Sequence, residues 1–162
     1  MSVADADDGP LAADLRAEAA DHGLFRLLDL ELVSVGDGRA TVRIPFDEEF
    51  TNVANESMHG GIAATLIDTA SGFALRSQLG ADARLSTTDL NVRYVRPATG
   101  DLRAEARVVR AGGTMGVTES TVTGVDPHGD EVTVATGGTT YRLFRSDDSE
   151  GDGDDADGGD DA

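Results

Sequence analysis

The sequence contains no cysteine and no lysine. The first absence excludes disulfides and thiolate chemistry. The second leaves arginine as the sole strongly basic side chain, 13 residues against 31 acids, for a net charge of −18. No apolar run approaches the ~20 residues that span a bilayer, and the acidic N-terminus lacks a signal peptide's basic and apolar regions. There is no basic stripe to meet phosphates, which argues against a nucleic-acid partner. Internal repeats, phosphate-binding loops and metal-ligand clusters are missing too. A Gly-x-Ser-x-Gly elbow does not occur, so a serine-hydrolase route lacks its motif. These absences lead us to expect a cytoplasmic protein with no membrane partner, no metal and no cofactor.

The charge that is present is unevenly spread. Nine acids fall in residues 146–162 and three in residues 1–10, which leaves residues 11–145 with 19 acids against 13 arginines. The 162 residues fit one domain. The expected organisation is a flexible acidic N-terminus over 1–10, a folded domain over 11–145 and a disordered acidic tail over 146–162. An acidic tail on an ordinary domain accounts for part of the charge. Complete loss of lysine beside so much aspartate points further, to an extreme halophile in which salt screens the self-repulsion of a hydrated acidic surface.

One stretch organises the chain, from Asn55 through His59-Gly60-Gly61 to Asp68. Apolar spacing predicts a helix running to about Leu79, with Ile62, Ala63, Leu66, Ile67, Ala70, Phe73 and Ala74 on one broad face. Asp68 falls opposite, among Ala64, Ser71, Gly72 and Leu75. Such small and apolar neighbours indicate that this second face is covered as well, which makes its carboxylate unusual. At the other end, the first turn of a helix offers free N–H groups at the positive pole of the dipole. Two readings of Gly60-Gly61 are open: a simple entry turn, or a site where backbone donors meet a developing oxyanion. Gly60 and Asp68 lie eight residues apart, which is ~12 Å along a helix axis. They cannot touch one reacting carbonyl from one helix. Two antiparallel copies of the helix would bring them together across a two-fold axis.

The rest of the chain alternates. Residues 11–22 form a modest amphipathic helix ending at Gly23, with His22 structural beside its C-terminus. Residues 24–35 read as a strand, and Gly36-Asp37-Gly38 turns it into a second over 39–45. Beyond the central helix, residues 85–96 are a strand with Thr88, Leu90, Val92 and Tyr94 on one face. Thr87, Asp89, Asn91 and Arg93 occupy the other. Strands over 101–110, 115–126 and 131–145 follow, with His128 exposed in the last turn. The expected class is therefore α+β, a wide helix stripe packed on an antiparallel sheet.

The pattern Asn52…His59-Gly60-Gly61…Asp68, followed by Thr87-Thr88-Asp89-Leu90-Asn91-Val92-Arg93-Tyr94-Val95-Arg96-Pro97-Ala98, strongly resembles the hotdog-fold acyl-CoA thioesterases of the PaaI type. The resemblance implies a hotdog fold, acyl-CoA as substrate, and a homodimer or homotetramer with its active site at the subunit interface. It implies that Gly60 N–H and the Asn52 side chain hold the thioester oxygen. Asp68 would then act as general base or nucleophile, with Thr87 orienting water and His59 and Gly61 in the substrate-binding turn. Asn52 stands one residue further from His59 than in the family pattern, so Asn55 is a rival for its role. Two alternatives from other classes remain: a hotdog hydratase or dehydratase, whose catalytic His–acid pattern is missing here, and a non-catalytic acyl-CoA-binding module. Arg93, Arg103 and Arg107 either form a cationic patch or pair with acids such as Glu105.

The charge pattern carries its own test. Raising KCl from low to molar concentration should raise the melting temperature, and deleting residues 146–162 should leave activity nearly unchanged. Melting temperatures that stay fixed across that range would contradict the halophilic reading.

Overall fold

The computed structural model describes residues 9–144. The acidic tail expected over 146–162, and residues 1–8 of the flexible N-terminus, lie outside that range. Helix α1 spans Pro10–Asp21 and begins with proline in its first turn, where the missing N–H costs nothing. Short helix α2 spans Gly23–Leu27. Strands β1 (Glu31–Gly36) and β2 (Arg39–Ile44) precede the long helix α3 (Gly60–Leu79). Strands β3 (Arg84–Tyr94), β4 (Leu102–Ala111), β5 (Met115–Val125) and β6 (Glu131–Phe144) complete the order.

All strand pairings are antiparallel, in one sheet of order β1-β2-β4-β5-β6-β3. Helix α3 packs across one face of that sheet, which is the hotdog arrangement. Ala63, Leu66, Ile67, Ala70, Phe73 and Ala74 are buried on its broad side against Val42, Ile44, Leu102, Ala104, Val122 and Ala135. The opposite side is covered too. Ser71 is buried in a hydroxyl network with Thr118, Ser120 and Thr139, and Leu75 packs with Tyr141 and Leu143. Every buried side-chain polar atom among the described residues has a partner, as a hydroxyl taken out of water requires.

Two strand expectations need correction. Residues 24–35 are not one strand: the chain first makes α2, then closes a turn in which Leu30 N–H donates to the Phe25 carbonyl and Asp29 takes a positive φ of 51°. The turn releases Phe25 from any alternation and lays it 4.0 Å from the His22 ring and 6.2 Å from Phe73.

The second correction lies in β3, where a bulge falls between Thr87 and Asp89. One extra residue shifts the alternation by one. Thr87 therefore shares the helix-facing side with Val92 and Tyr94 instead of opposing them. Its register partner is Tyr141, and paired residues point to the same face.

Candidate active site

Two cavities mark the two ends of the first half of α3. The first, about 340 Å3, is lined by Asn52, Asn55, His59, Gly60, Tyr94 and Arg96 among others. The second, about 250 Å3, holds Asp68, Thr87, Tyr141, Phe25, Glu18 and Arg76 among others. The structure thus brings Asn52, His59 and Gly60 together, brings Asp68 and Thr87 together, and keeps the two groups apart.

At the helix start the loop is tied down by backbone bonds. Met58 N–H donates to Ala98 O at 2.9 Å, His59 N–H to Phe50 O at 2.7 Å, and Asn52 N–H to Ser57 O at 2.8 Å. His59 is the N-cap: its Nδ1 accepts from Gly61 N–H at 2.9 Å. Ile62 N–H goes to the His59 carbonyl. Gly60 N–H is left without a hydrogen bond among the described residues, and the Asn52 amide donates one N–H to Ser57 O at 3.2 Å, with a second N–H to spare. Asn55 is exposed and accepts from the Ser57 hydroxyl at 2.9 Å.

The glycine pair is explained by neighbours on its own chain. A Cβ at Gly60 would sit 2.9 Å from the Tyr94 ring and hydroxyl, and one at Gly61 would sit 2.8 Å from the His59 imidazole. Tyr94 also donates to the Gly60 carbonyl at 2.7 Å. Gly61, with its N–H consumed by the cap, is a structural element of the turn.

At the other end, Asp68 is half-buried and receives two hydrogen bonds on one oxygen. Thr87 Oγ1 donates to Oδ1 at 2.9 Å and Tyr141 OH donates to the same atom at 2.7 Å. Oδ2 receives none among the described residues. Burial, then the Asp68 charge beside it, push the Tyr141 phenol well above its ordinary pKa. Tyr141 is therefore a neutral donor in the working pH range. Sequence reasoning missed Tyr141, because a tyrosine in the final strand carries no local motif. Its placement depends on β6 pairing with β3.

The far wall of this cavity is a bidentate ion pair, with Arg76 Nη1 and Nη2 on Glu18 at 2.8 and 2.6 Å. Hydrogen bonding from Arg76 holds Glu18 below the usual carboxylate range. On the outer sheet face, Arg103 bonds Glu105 and Arg107 bonds Glu119, so the pairing reading holds for these two. Arg93 is not on a neighbouring strand, since β5 and β6 lie between it and β4, yet it lines one outer-face cavity with Arg39, Arg107, Glu105 and Glu119.

Residues 55–131 match the family model described as the thioesterase superfamily. An esterase-named protein of Halobacterium salinarum is 48% identical over 153 residues, which cover 91% of this chain and 100% of that protein. Human acyl-coenzyme A thioesterase 13 is 33% identical over 97 residues, 58% of this chain and 67% of the human one. A Bacillus halodurans protein solved with CoA superimposes with a TM-score of 0.64 and 33% identity, covering 82% of this chain and 84% of that one.

The cap geometry gives a prediction of its own. His59→Ala should lower stability by about 1 kcal/mol, the usual scale for losing an N-cap acceptor, and His59→Asn should recover most of it. Equal melting temperatures for all three proteins would show that the Nδ1 contact contributes nothing.

Proposed function

The chain belongs to the thioesterase superfamily, and from that premise we propose that it hydrolyses acyl-CoA thioesters of the PaaI type, at sites shared between two copies. The observation that carries this reading is the pair of half-sites on α3: an unpartnered Gly60 N–H beside Asn52, and an Asp68 carboxylate with one oxygen unoccupied.

Edge strand β3 supports the sharing. It contacts α3 at both relevant points, with Thr87 on Asp68 and Tyr94 on Gly60. Its outer edge is unpaired among the described residues, and Leu90, Tyr94 and Val95 are 40, 54 and 48% exposed. A long unpaired edge is a template for another strand. A second copy pairing antiparallel there sets its Tyr94 end beside the first copy's Thr87 end. Gly60 of one copy then approaches Asp68 of the partner subunit. The assembly is a homodimer, or a tetramer of such dimers.

In the reaction, Gly60 N–H and the second Asn52 N–H hold the thioester oxygen. Asp68 of the partner subunit takes a proton from water as the water oxygen bonds to the carbonyl carbon. The C=O electron pair becomes an oxyanion held by the two donors. Its collapse breaks the C–S bond, and the CoA thiolate leaves with the proton that Asp68 carried. Thr87 serves by donating to Asp68 Oδ1. His59 and Gly61 form the turn against which the substrate lies. The lysine-free acidic surface fits a halophilic cytoplasm, and no described helix is long and apolar enough to cross a membrane.

The test is a thiol-release screen over short, long and aromatic acyl-CoAs in molar salt. Asp68→Asn should reduce turnover by ~10²-fold or more, the scale of a lost general base, with KM moving far less. Asn52→Ala should reduce turnover as an oxyanion donor is lost, whereas Asn55→Ala should be mild. An Asp68→Asn protein with unchanged turnover would remove this reading. Tight acyl-CoA binding without thiol release by the wild type would favour a binding module instead.

A further inference from the structure

Tyr141 has a buried ring, packed with Leu75 and Leu143, and a hydroxyl that meets two acceptors of a single residue. It lies 2.7 Å from Asp68 Oδ1 and 2.6 Å from the Asp68 main-chain carbonyl. One phenol therefore spans the side chain and the backbone of the same aspartate. The charged oxygen is the stronger acceptor. Thr87, the register partner of Tyr141, donates to the same Oδ1 from the adjacent strand.

We propose that Tyr141 is a positioning residue for Asp68: with Thr87 it saturates Oδ1, fixes the carboxylate against α3, and leaves Oδ2 as the oxygen that meets the attacking water. The inference rests on the reading that Asp68 is the base. Helix α3 carries a matching feature. Gly72, one turn beyond Asp68, has no side chain where the phenol enters, and a Cβ there would lie 3.3 Å from the Tyr141 hydroxyl. A phenylalanine at 141 would fill the same apolar space, so within this contact pattern the hydroxyl serves Asp68. The other charged groups lining the cavity are Arg76 on α3 and Glu18 on α1, and they are bonded to each other. Among the described residues, Asp68 therefore accepts its side-chain hydrogen bonds from neutral donors alone. The Tyr141 proton stays on the phenol throughout, and the proton taken from water goes to Oδ2.

The experiment compares wild type, Tyr141→Phe, Gly72→Ala and Asp68→Asn, using the acyl-CoA turned over fastest in the panel, with melting temperatures measured in parallel. Tyr141→Phe should lower kcat by ~10-fold or more, as losing an orienting partner does, with KM changing much less. Gly72→Ala keeps the phenol but presses a methyl on its hydroxyl, and should lower kcat in the same way to a smaller extent, again with KM nearly unchanged. If Tyr141→Phe fails to fold, the Gly72→Ala comparison decides. Wild-type kcat in the folded variants, while Asp68→Asn is inactive, overturns the role of Tyr141 and leaves the base intact. Full activity in Asp68→Asn overturns both.

Discussion

A single rigid helix holds Gly60 and Asp68 eight residues apart, and hydrogen bonding fixes that spacing at ~12 Å. Everything about the site follows from this constraint. A carbonyl held at the helix start is out of reach of the carboxylate on the same helix, so the proposed site would need two helices. The edge strand β3 reinforces the constraint by touching the helix at both points, through Tyr94 and Thr87. The surface that a second copy would cover is continuous with the two half-sites. In the proposed shared site, assembly and catalysis would be one problem, because the contact that buries the edge would also complete the chemistry.

Charge plays a different part. Within the described residues, ion pairs bind elements distant in sequence: Arg76 on α3 ties down Glu18 on α1, and Arg43 on β2 meets Asp101 just before β4. Asp101 is held below its ordinary range by the Phe46 N–H first and Arg43 second, and Glu18 by Arg76. For groups depressed in the folded state, the stabilisation is fully present above the unfolded carboxylate value of ~4 and is lost as pH falls through the folded value. These contacts are partly exposed and contribute modestly. The chain carries 31 acids and 13 arginines, so most acids have no arginine to meet.

Much of this was legible in the sequence. The bounds of α3 followed from Gly60-Gly61, the apolar spacing and Gly80, and its covered second face from the small residues around Asp68. The hotdog class came from the order of elements together with the resemblance. The misreadings were those that only tertiary context decides. Phe25 belongs to a helical turn because its ring finds Phe73, although Leu28, Leu30 and Leu32 alternate like a strand. The bulge between Thr87 and Asp89 reverses a face, and nothing local to Thr87-Thr88-Asp89 announces it. Tyr141 reaches Asp68 from 73 residues away, through a strand order that places β3 beside β6 rather than beside β4. The same strand order leaves Arg103 out of the outer-face cavity that Arg93 and Arg107 line with Arg39.

The shared site is tested most directly by mixing two impaired proteins. One carries Asp68→Asn and the other Asn52→Ala, so that each lacks a different half. Subunit exchange is established first, with differently tagged copies recovered together. The account predicts that mixing restores thioester hydrolysis, because one of the two sites in a mixed dimer then has both functional halves. Mixed dimers that form and remain no more active than their parents would show that Gly60, Asn52 and Asp68 do not act together across an interface.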